Sequence, residues 1–243
     1  MTDVSWVVEF HPACEVWANT LAQRDAEALL AALHVLGDQG PNLGRPLVDT
    51  VKGSRHPSMK ELRPGSTGRT EIRVLFAFDK ERKAILLLGG DKSGNWQQWY
   101  RANIPVADDR FDRHQAEIVR SRTSGKPVKS KTRKREGPAM SLKQWEKKVL
   151  GAPGAAELVD EIEDELRLAA GLTALREQAG LSQRQLARRI GISQPRIAAI
   201  EQSRNITIEV LEQYVHAVGG RLEVNVVKGK RKIPLLRARP DAG

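Results

Sequence analysis

The segment Arg120–Ala139, RSRTSGKPVKSKTRKREGPA, sets how this chain can be organised. It holds eight basic groups against one acidic, and Val128 is its one aliphatic residue before the terminal alanine. Such a stretch cannot bury enough apolar surface to offset the entropy of ordering it, so a flexible, self-repelling linker is expected. Its sharper reading is an extra phosphate-binding arm. On either side the charge balances: residues 1–119 carry 15 basic and 16 acidic groups, and residues 140–227 carry 11 and 12. The net charge of +10 therefore sits in the linker and in the last stretch, 228–243, with six basic groups and one acidic. A uniformly basic nucleic-acid binder would not distribute its charge this way. Two globular units are expected, 1–119 and 140–243, joined by 120–139. Met140 opens MSLKQW as a second reading frame would.

No apolar run approaches the ~18 residues that a membrane span needs. The N-terminal MTDVSWVVEF lacks a secretory pattern, and the lone Cys14 can form no internal disulfide, so a cytoplasmic protein without membrane contact is expected. In the first unit, Val4–Phe10 reads as a strand and His11–Gly37 as helical, with a helical hairpin. A Gly/Pro-rich loop follows, then strands over Ser58–Arg63, Arg69–Asp79 and Lys83–Gly89, with a turn at Pro64-Gly65 and Thr67-Gly68, and a helix over Ala107–Val119. The middle strand alternates: Ile72, Val74, Phe76 and Phe78 against Glu71, Arg73, Leu75 and Ala77. The second unit reads as helices, beginning with Ala155–Ala170, and ends in a strand over Arg221–Val227. The fold class expected is α+β: a small antiparallel sheet with helices, then an all-α domain with a C-terminal strand.

Leu181–Ser203, LSQRQLARRIGISQPRIAAIEQS, carries the strongest local signal. Ser182 and Gln185 form a capping box, Gly191 permits a tight turn plugged by Ile192, and Ser193 caps a helix whose first turn accepts Pro195. Leu186, Ala187, Ile190, Ile197 and Ile200 face inward. The stretch resembles the helix-turn-helix of the Cro/repressor (XRE) family over about residues 172–220. The resemblance implies base contacts from Gln194, Pro195 and Ala199, with Arg196 at the flank and Gln183 and Arg204 as phosphate clamps. It also implies a homodimer on a two-fold operator.

The segment MKELRPGSTGRTEIRVLFAFD with the later GGDK places Arg73, Arg63 and Lys92 where sequential strands bring them to one surface, near Trp96, Trp99 and Tyr100. Cations for a phosphate, an aromatic ring for a base, and Glu61 or Lys60 for proton transfer suit RNA chemistry. A solvated sheet face with incidental charges is the alternative. Lys60–Gly65, Gly68-Arg69, Glu71–Phe76, Gly90–Lys92 and Trp99-Tyr100 resemble the RelE/HigB toxin superfamily, specifically its phage-derived HigB-like branch, over nearly all of 1–119. The resemblance implies ribosome-dependent mRNA cleavage by 2′-OH attack with no metal or cofactor. In it, Arg73 supports the phosphorane charge, Lys92 supplies the second cation and Tyr100 or Trp99 stacks. Met59 and Glu61 replace lysines common on that strand, which leaves the base open between Glu61 and Lys60. His56 and His114 read as surface residues.

A toxin followed by an XRE-type antitoxin is the HigB/HigA pairing. Its implied partners are mRNA on the ribosome, operator DNA and a toxin–antitoxin contact within or between chains. Six carboxylates between Glu157 and Glu165 read either as a solvated helix face or as a helix that, itself or through its neighbour, docks on the toxin and offsets its exposed cations or blocks its entry to the ribosome; in the docking reading, charge reversal at Asp160, Glu161 and Asp164 should weaken the contact. Two readings compete: a transcription regulator with an inert N-terminal domain, and a ParE-type toxin directed at gyrase.

Overall fold

The computed structural model describes residues 6–65, 70–124, 142–202, 206–229 and 231–236. The bulk of the basic linker, Arg204 and the Thr67-Gly68 half of the expected turn lie outside them. The chain forms two compact units, 1–167 and 168–243. The division falls well beyond the linker, because the first two helical segments after it pack on the N-terminal unit, chiefly on its helix over residues 23–39.

Unit one is built on a five-stranded sheet in the order β1-β5-β4-β3-β2. Its strands are β1 (Val7–Phe10), β2 (Val48–Thr50), β3 (Met59–Leu62), β4 (Ile72–Phe78) and β5 (Lys83–Asp91). All neighbours are antiparallel except β1, which runs parallel to β5. β2 lies in the stretch expected to be loop, since three residues give no readable alternation. The helical hairpin is α1 (Pro12–Ala18) and α2 (Gln23–Gln39). β4 is buried on both faces: Val74, Leu75, Phe76 and Ala77 are all fully buried.

The closing helix α3 runs Trp96–Ser124, longer at both ends than expected and with Pro105 inside it. A proline removes one helical hydrogen bond. Here the cost is offset by an apolar stripe, Ile104, Ala107 and Phe111, flanked by Trp99 and Tyr100, that packs on Met59, Leu75, Ala77, Ile85 and Leu87. α1 covers the opposite face. The adjacent glycines of β5 let aromatic rings reach both faces: a Cβ on Gly89 would lie 2.0 Å from the Trp17 ring, and one on Gly90 would lie 2.7 Å from Trp99 Nε1.

Two helical segments complete unit one: α4 (Leu142–Val149) and the first turns of α5 (Ala155–Gln178). Trp145, 1% exposed, meets Phe10 edge-to-face at 5.5 Å. Val149, Ala155, Val159 and Ile162 are buried with it. Gln23 Nε2 donates to the Val149 carbonyl (2.9 Å), and His34 lies between Glu163 (3.0 Å) and Glu146 (3.2 Å). Arg167 pairs with Asp38.

Unit two holds the end of α5, then α6 (Gln183–Ile190), α7 (Gln194–Ile200), α8 (Ile208–Ala217) and a hairpin of β6 (Val224–Lys228) and β7 (Arg231–Leu236). The expected single terminal strand is thus a two-stranded ribbon. Leu172, Leu181, Leu186, Ala187, Ile197, Ile200 and Tyr214 form its core. Among the described residues, no helix is long and apolar enough to cross a membrane.

Candidate functional site

Strand register decides which polar side chains meet at the α3-covered face. Glu61 pairs with Leu75 and with Asp49, and Arg73 pairs with Gly90, so Glu61, Arg73 and Gly90 share that face. Lys92 follows two residues after Gly90 and its N–H donates to the Glu71 carbonyl, which extends the register and sets Lys92 diagonally beside Arg73. Glu61, almost fully buried, accepts from the Tyr100 hydroxyl and from Arg63 Nε (2.7 Å). Arg63 also donates to Asp49 (2.8 Å), which accepts from Arg45 (2.6 Å). Burial alone would lower the Arg63 pKa; the Glu61 and Asp49 carboxylates reverse that and raise it. Burial, then the Glu61 carboxylate, push the Tyr100 phenol well above its ordinary range, while Arg73 and Arg63 pull it back. Tyr100 is therefore a neutral hydroxyl within the field of both arginines.

Arg73 differs from its neighbours. Among the described residues it has no carboxylate within ion-pair distance. One Nη donates to the Ile72 carbonyl (2.7 Å), and its buried Nε has no partner. An unsatisfied buried guanidinium N–H is costly and calls for an explanation. An anion bound at this face would supply its acceptor.

Of the residues singled out from sequence, Arg73, Arg63, Glu61 and Tyr100 come together, and Lys92 stands at their edge, paired with Glu71 at 3.1 Å. Lys60 does not join them. It pairs with Phe76 on the opposite face, where its ammonium donates to Thr50 (2.9 Å). Glu61 is sequestered by two donors, so it holds Arg63 and Tyr100 in place and is poorly set to collect a proton. Trp99 lies against Gly90, and Trp96 is exposed. The two histidines expected on the surface are carboxylate-bound: His114 Nε2 lies 2.9 Å from the buried Asp79, and His56 lies 2.9 Å from Asp112. Cys14 is fully buried, which pushes its thiol up to about 12 and makes it inert. Among the described residues no group of three or more His, Cys, Asp or Glu is placed to hold a metal.

The helical segment that follows the linker within unit one avoids this cluster. Its polar contacts reach Gln23, His34 and Asp38 of α2, with Lys148 donating to Asn19 (2.8 Å), all away from Arg73, Arg63, Lys92 and Tyr100. Asp160, Glu161 and Asp164, expected to face the toxin's cations, are exposed. The contact is apolar at its centre because the buried stripe of α5 is Ala155, Val159 and Ile162.

In unit two the helix-turn-helix forms as its residues require. Ser182 and Gln185 close the capping box, Gly191 is left-handed at φ 79°, and Ser193 caps α7 with Pro195 in its first turn. Gln194, Pro195, Arg196 and Ala199 are exposed together on α7. Gln194 Nε2 donates to Gln183 Oε1 (2.8 Å), and Gln183 Nε2 donates to Glu201 (2.9 Å). Gln183 is thus an orienter of Gln194 as well as a candidate phosphate ligand. Behind it lies a network missed in the sequence: Glu201 accepts from Arg176 Nε (2.6 Å), Arg176 Nη2 (3.1 Å) and Tyr214 (2.7 Å). Burial would raise the Glu201 pKa, but the hydrogen bonds from Arg176, Gln183 and Tyr214 outweigh it and hold the carboxyl below its usual range. The sequence did not show it, since Tyr214 and Arg176 lie 13 and 25 residues from Glu201.

A sheet domain whose α3-covered face carries an arginine without a carboxylate among the described residues, followed by a helix-turn-helix, makes a two-part protein with a DNA-binding type of module at its C-terminal end. The family profile described as "Phage derived protein Gp49-like" matches residues 17–112, and one described as "Helix-turn-helix" matches 165–224. Over 133 residues, 55% of this chain, it is 47% identical to HigB2 of Mycobacterium tuberculosis (strain ATCC 25618 / H37Rv), of which it spans 62%, under two thirds. Over 101 residues, 42% of this chain, it is 52% identical to HigB3 of the same organism, of which it spans 86%. Both relatives bear names that designate them toxins. The chain belongs to the Gp49-like, HigB-type toxin family, and it carries an XRE-type helix-turn-helix domain toward its C-terminus.

Proposed function

We propose that this chain is a toxin–antitoxin pair in one polypeptide. Its N-terminal domain is an mRNA endoribonuclease acting on the ribosome, and its C-terminal domain is a cytoplasmic DNA-binding repressor that acts as a dimer on its own operon. The observation that carries the enzymatic reading is Arg73: a partly buried guanidinium with one N–H unsatisfied and, among the described residues, no carboxylate partner, beside Tyr100 and Arg63. Such a group is preorganised for the charge that develops on a phosphate when an adjacent 2′-OH attacks it. Lys92 adds a second cation, Trp99 or Tyr100 a surface for a base, and Glu61 holds Arg63 and Tyr100 in position. In the DNA-binding half, Gln194, oriented by Gln183, reads a base edge; Pro195 and Ala199 offer apolar contact, and Arg196 reaches the backbone.

Of the two expected modes of control, the docked segment supports blocked entry to the ribosome over covered cations. α4 and the start of α5 cover α2 and β1, leave Arg73 uncovered, and act by keeping the body from entering a ribosomal cleft.

Expression of residues 1–124, which keeps α3 whole, tests the reading. Growth arrest with cleaved mRNA is expected, and Arg73→Ala should abolish both. Arrest with intact mRNA and damaged DNA would instead indicate a gyrase-directed toxin, and absence of toxicity an inert domain. In the full chain, Trp145→Ala should loosen the docked segment and restore arrest.

A further inference from the structure

Unit two presents, on two separate elements, cations that have no ion-pair partner among the described residues. Arg184, Arg188 and Arg196 are exposed on the helix-turn-helix. Lys228, Arg231 and Lys232 are exposed at the tip of the β6–β7 ribbon, and none of the three has an ion-pair partner among the described residues. In unit one, Arg45, Arg55, Arg63 and Arg167 are tied to carboxylates.

We propose that the β6–β7 ribbon is a second DNA-contacting element, a basic arm that clamps backbone phosphates beside the groove entered by α7. The inference rests on the DNA-binding reading of the helix-turn-helix and adds a site to it. Three observations carry it. First, Arg189 at the end of α6 donates to the Ala217 carbonyl (3.2 Å), which ties the last turn of α8 to α6, and the ribbon follows α8 in the chain, opening at Val224. Second, five- and six-residue strands at ~3.3 Å per residue reach about 17–20 Å, more than the ~12 Å width of the major groove. An arm of that length can reach phosphates on the far side of the groove. Third, Lys228 pairs with Arg231 across the tip, with Lys232 next in line, which gathers three positive groups at the distal end. Phosphates repel one another and attract such a cluster through counterion release, without reading sequence.

The test uses the full chain and two duplexes of equal length: the DNA upstream of its own reading frame and a random sequence. Affinity is measured by fluorescence anisotropy from 50 to 200 mM salt for the wild type, Gln194→Ala and the triple variant Lys228→Ala/Arg231→Ala/Lys232→Ala. The triple variant is expected to weaken binding to both duplexes alike and to lower the slope of log affinity against log salt by about 3, one for each lost phosphate contact. Lys228→Arg/Lys232→Arg should keep the slope. Gln194→Ala should weaken the upstream duplex alone. If Gln194→Ala discriminates while the triple variant keeps the wild-type slope, the ribbon proposal fails and the helix-turn-helix reading stands. If neither variant alters binding, both fail. Sedimentation equilibrium closes the remaining route: a triple variant of altered oligomeric mass would reassign the ribbon to self-association and overturn the proposal.

Discussion

Each unit contains a carboxylate held by an arginine and a tyrosine, and the two triads end in different places. Glu201 accepts from Arg176 and Tyr214; Glu61 accepts from Arg63 and Tyr100. The side chains of Arg176 and Glu201 are 9% and 4% exposed, and Tyr214 is fully buried. In the other triad Glu61 is equally hidden at 5%, but Arg63 is 31% exposed, and Tyr100 is only partly buried. The same three groups thus lock a helical core in one unit and brace an open face in the other. Water access separates them: a dry ion pair cannot lose one partner cheaply, whereas a half-open one can rehydrate.

Glu201→Gln tests the dry triad hardest. It leaves Arg176 buried without its counter-charge and should cost about 3–5 kcal/mol, read from denaturant midpoints of the helix-turn-helix transition. A loss under ~1 kcal/mol would mean that water reaches the triad after all and would erase the contrast. Tyr214→Phe removes a buried donor and should cost about 1–3 kcal/mol in the same measurement. Glu61→Gln should cost no more than about 1 kcal/mol, because Arg63 keeps Asp49 and its solvent. Its larger effect should be functional: residues 1–124 carrying it should arrest growth more weakly, with Arg63 and Tyr100 no longer held. Full arrest with unchanged RNA cleavage would deny Glu61 its positioning role.

Acid should separate the triads further. The native Glu201 pKa lies below its unfolded value of about 4.3. Its contribution is therefore complete above that value and is lost as pH falls toward the lowered native one. Glu201→Gln should flatten this acid limb. The smallest effect concerns His11, which caps α1 through Nδ1 (3.2 Å to the Ala13 N–H). Burial, then Arg110, Arg113 and His114, lower its pKa to about 4. The unfolded chain binds the proton first, so unit-one stability should decline from about pH 6.5 toward pH 4. His11→Asn keeps a capping acceptor and should soften that decline; an identical pH profile would refute the linkage.

Local chemistry made the helix-turn-helix legible down to its caps, because Ser182, Gln185, Gly191, Ser193 and Pro195 each act within four residues of themselves. The strand faces of β3 and β4 followed from alternation, which is why Arg63, Arg73 and Glu61 could be assigned to one surface. What stayed hidden depends on distant partners. β2 exists through pairing with β3, α4 is fixed by Trp145 against Phe10, and β7 was masked by its own basic tip. The acidic run of α5 pointed toward an electrostatic contact, but Val159 and Ile162 are its buried residues and Asp160, Glu161 and Asp164 face solvent. Charge density signals what is exposed more reliably than what is docked.

The paired glycines of β5 carry a genetic consequence. With Trp17 pressed on one and Trp99 on the other, neither position has room for so much as a methyl group unless an indole gives way. A selection for cells that survive the liberated N-terminal domain should therefore recover substitutions at Gly89 and Gly90 alongside those at Arg73. Such escape alleles would fail by displacing a ring, with every charged group of the face still present.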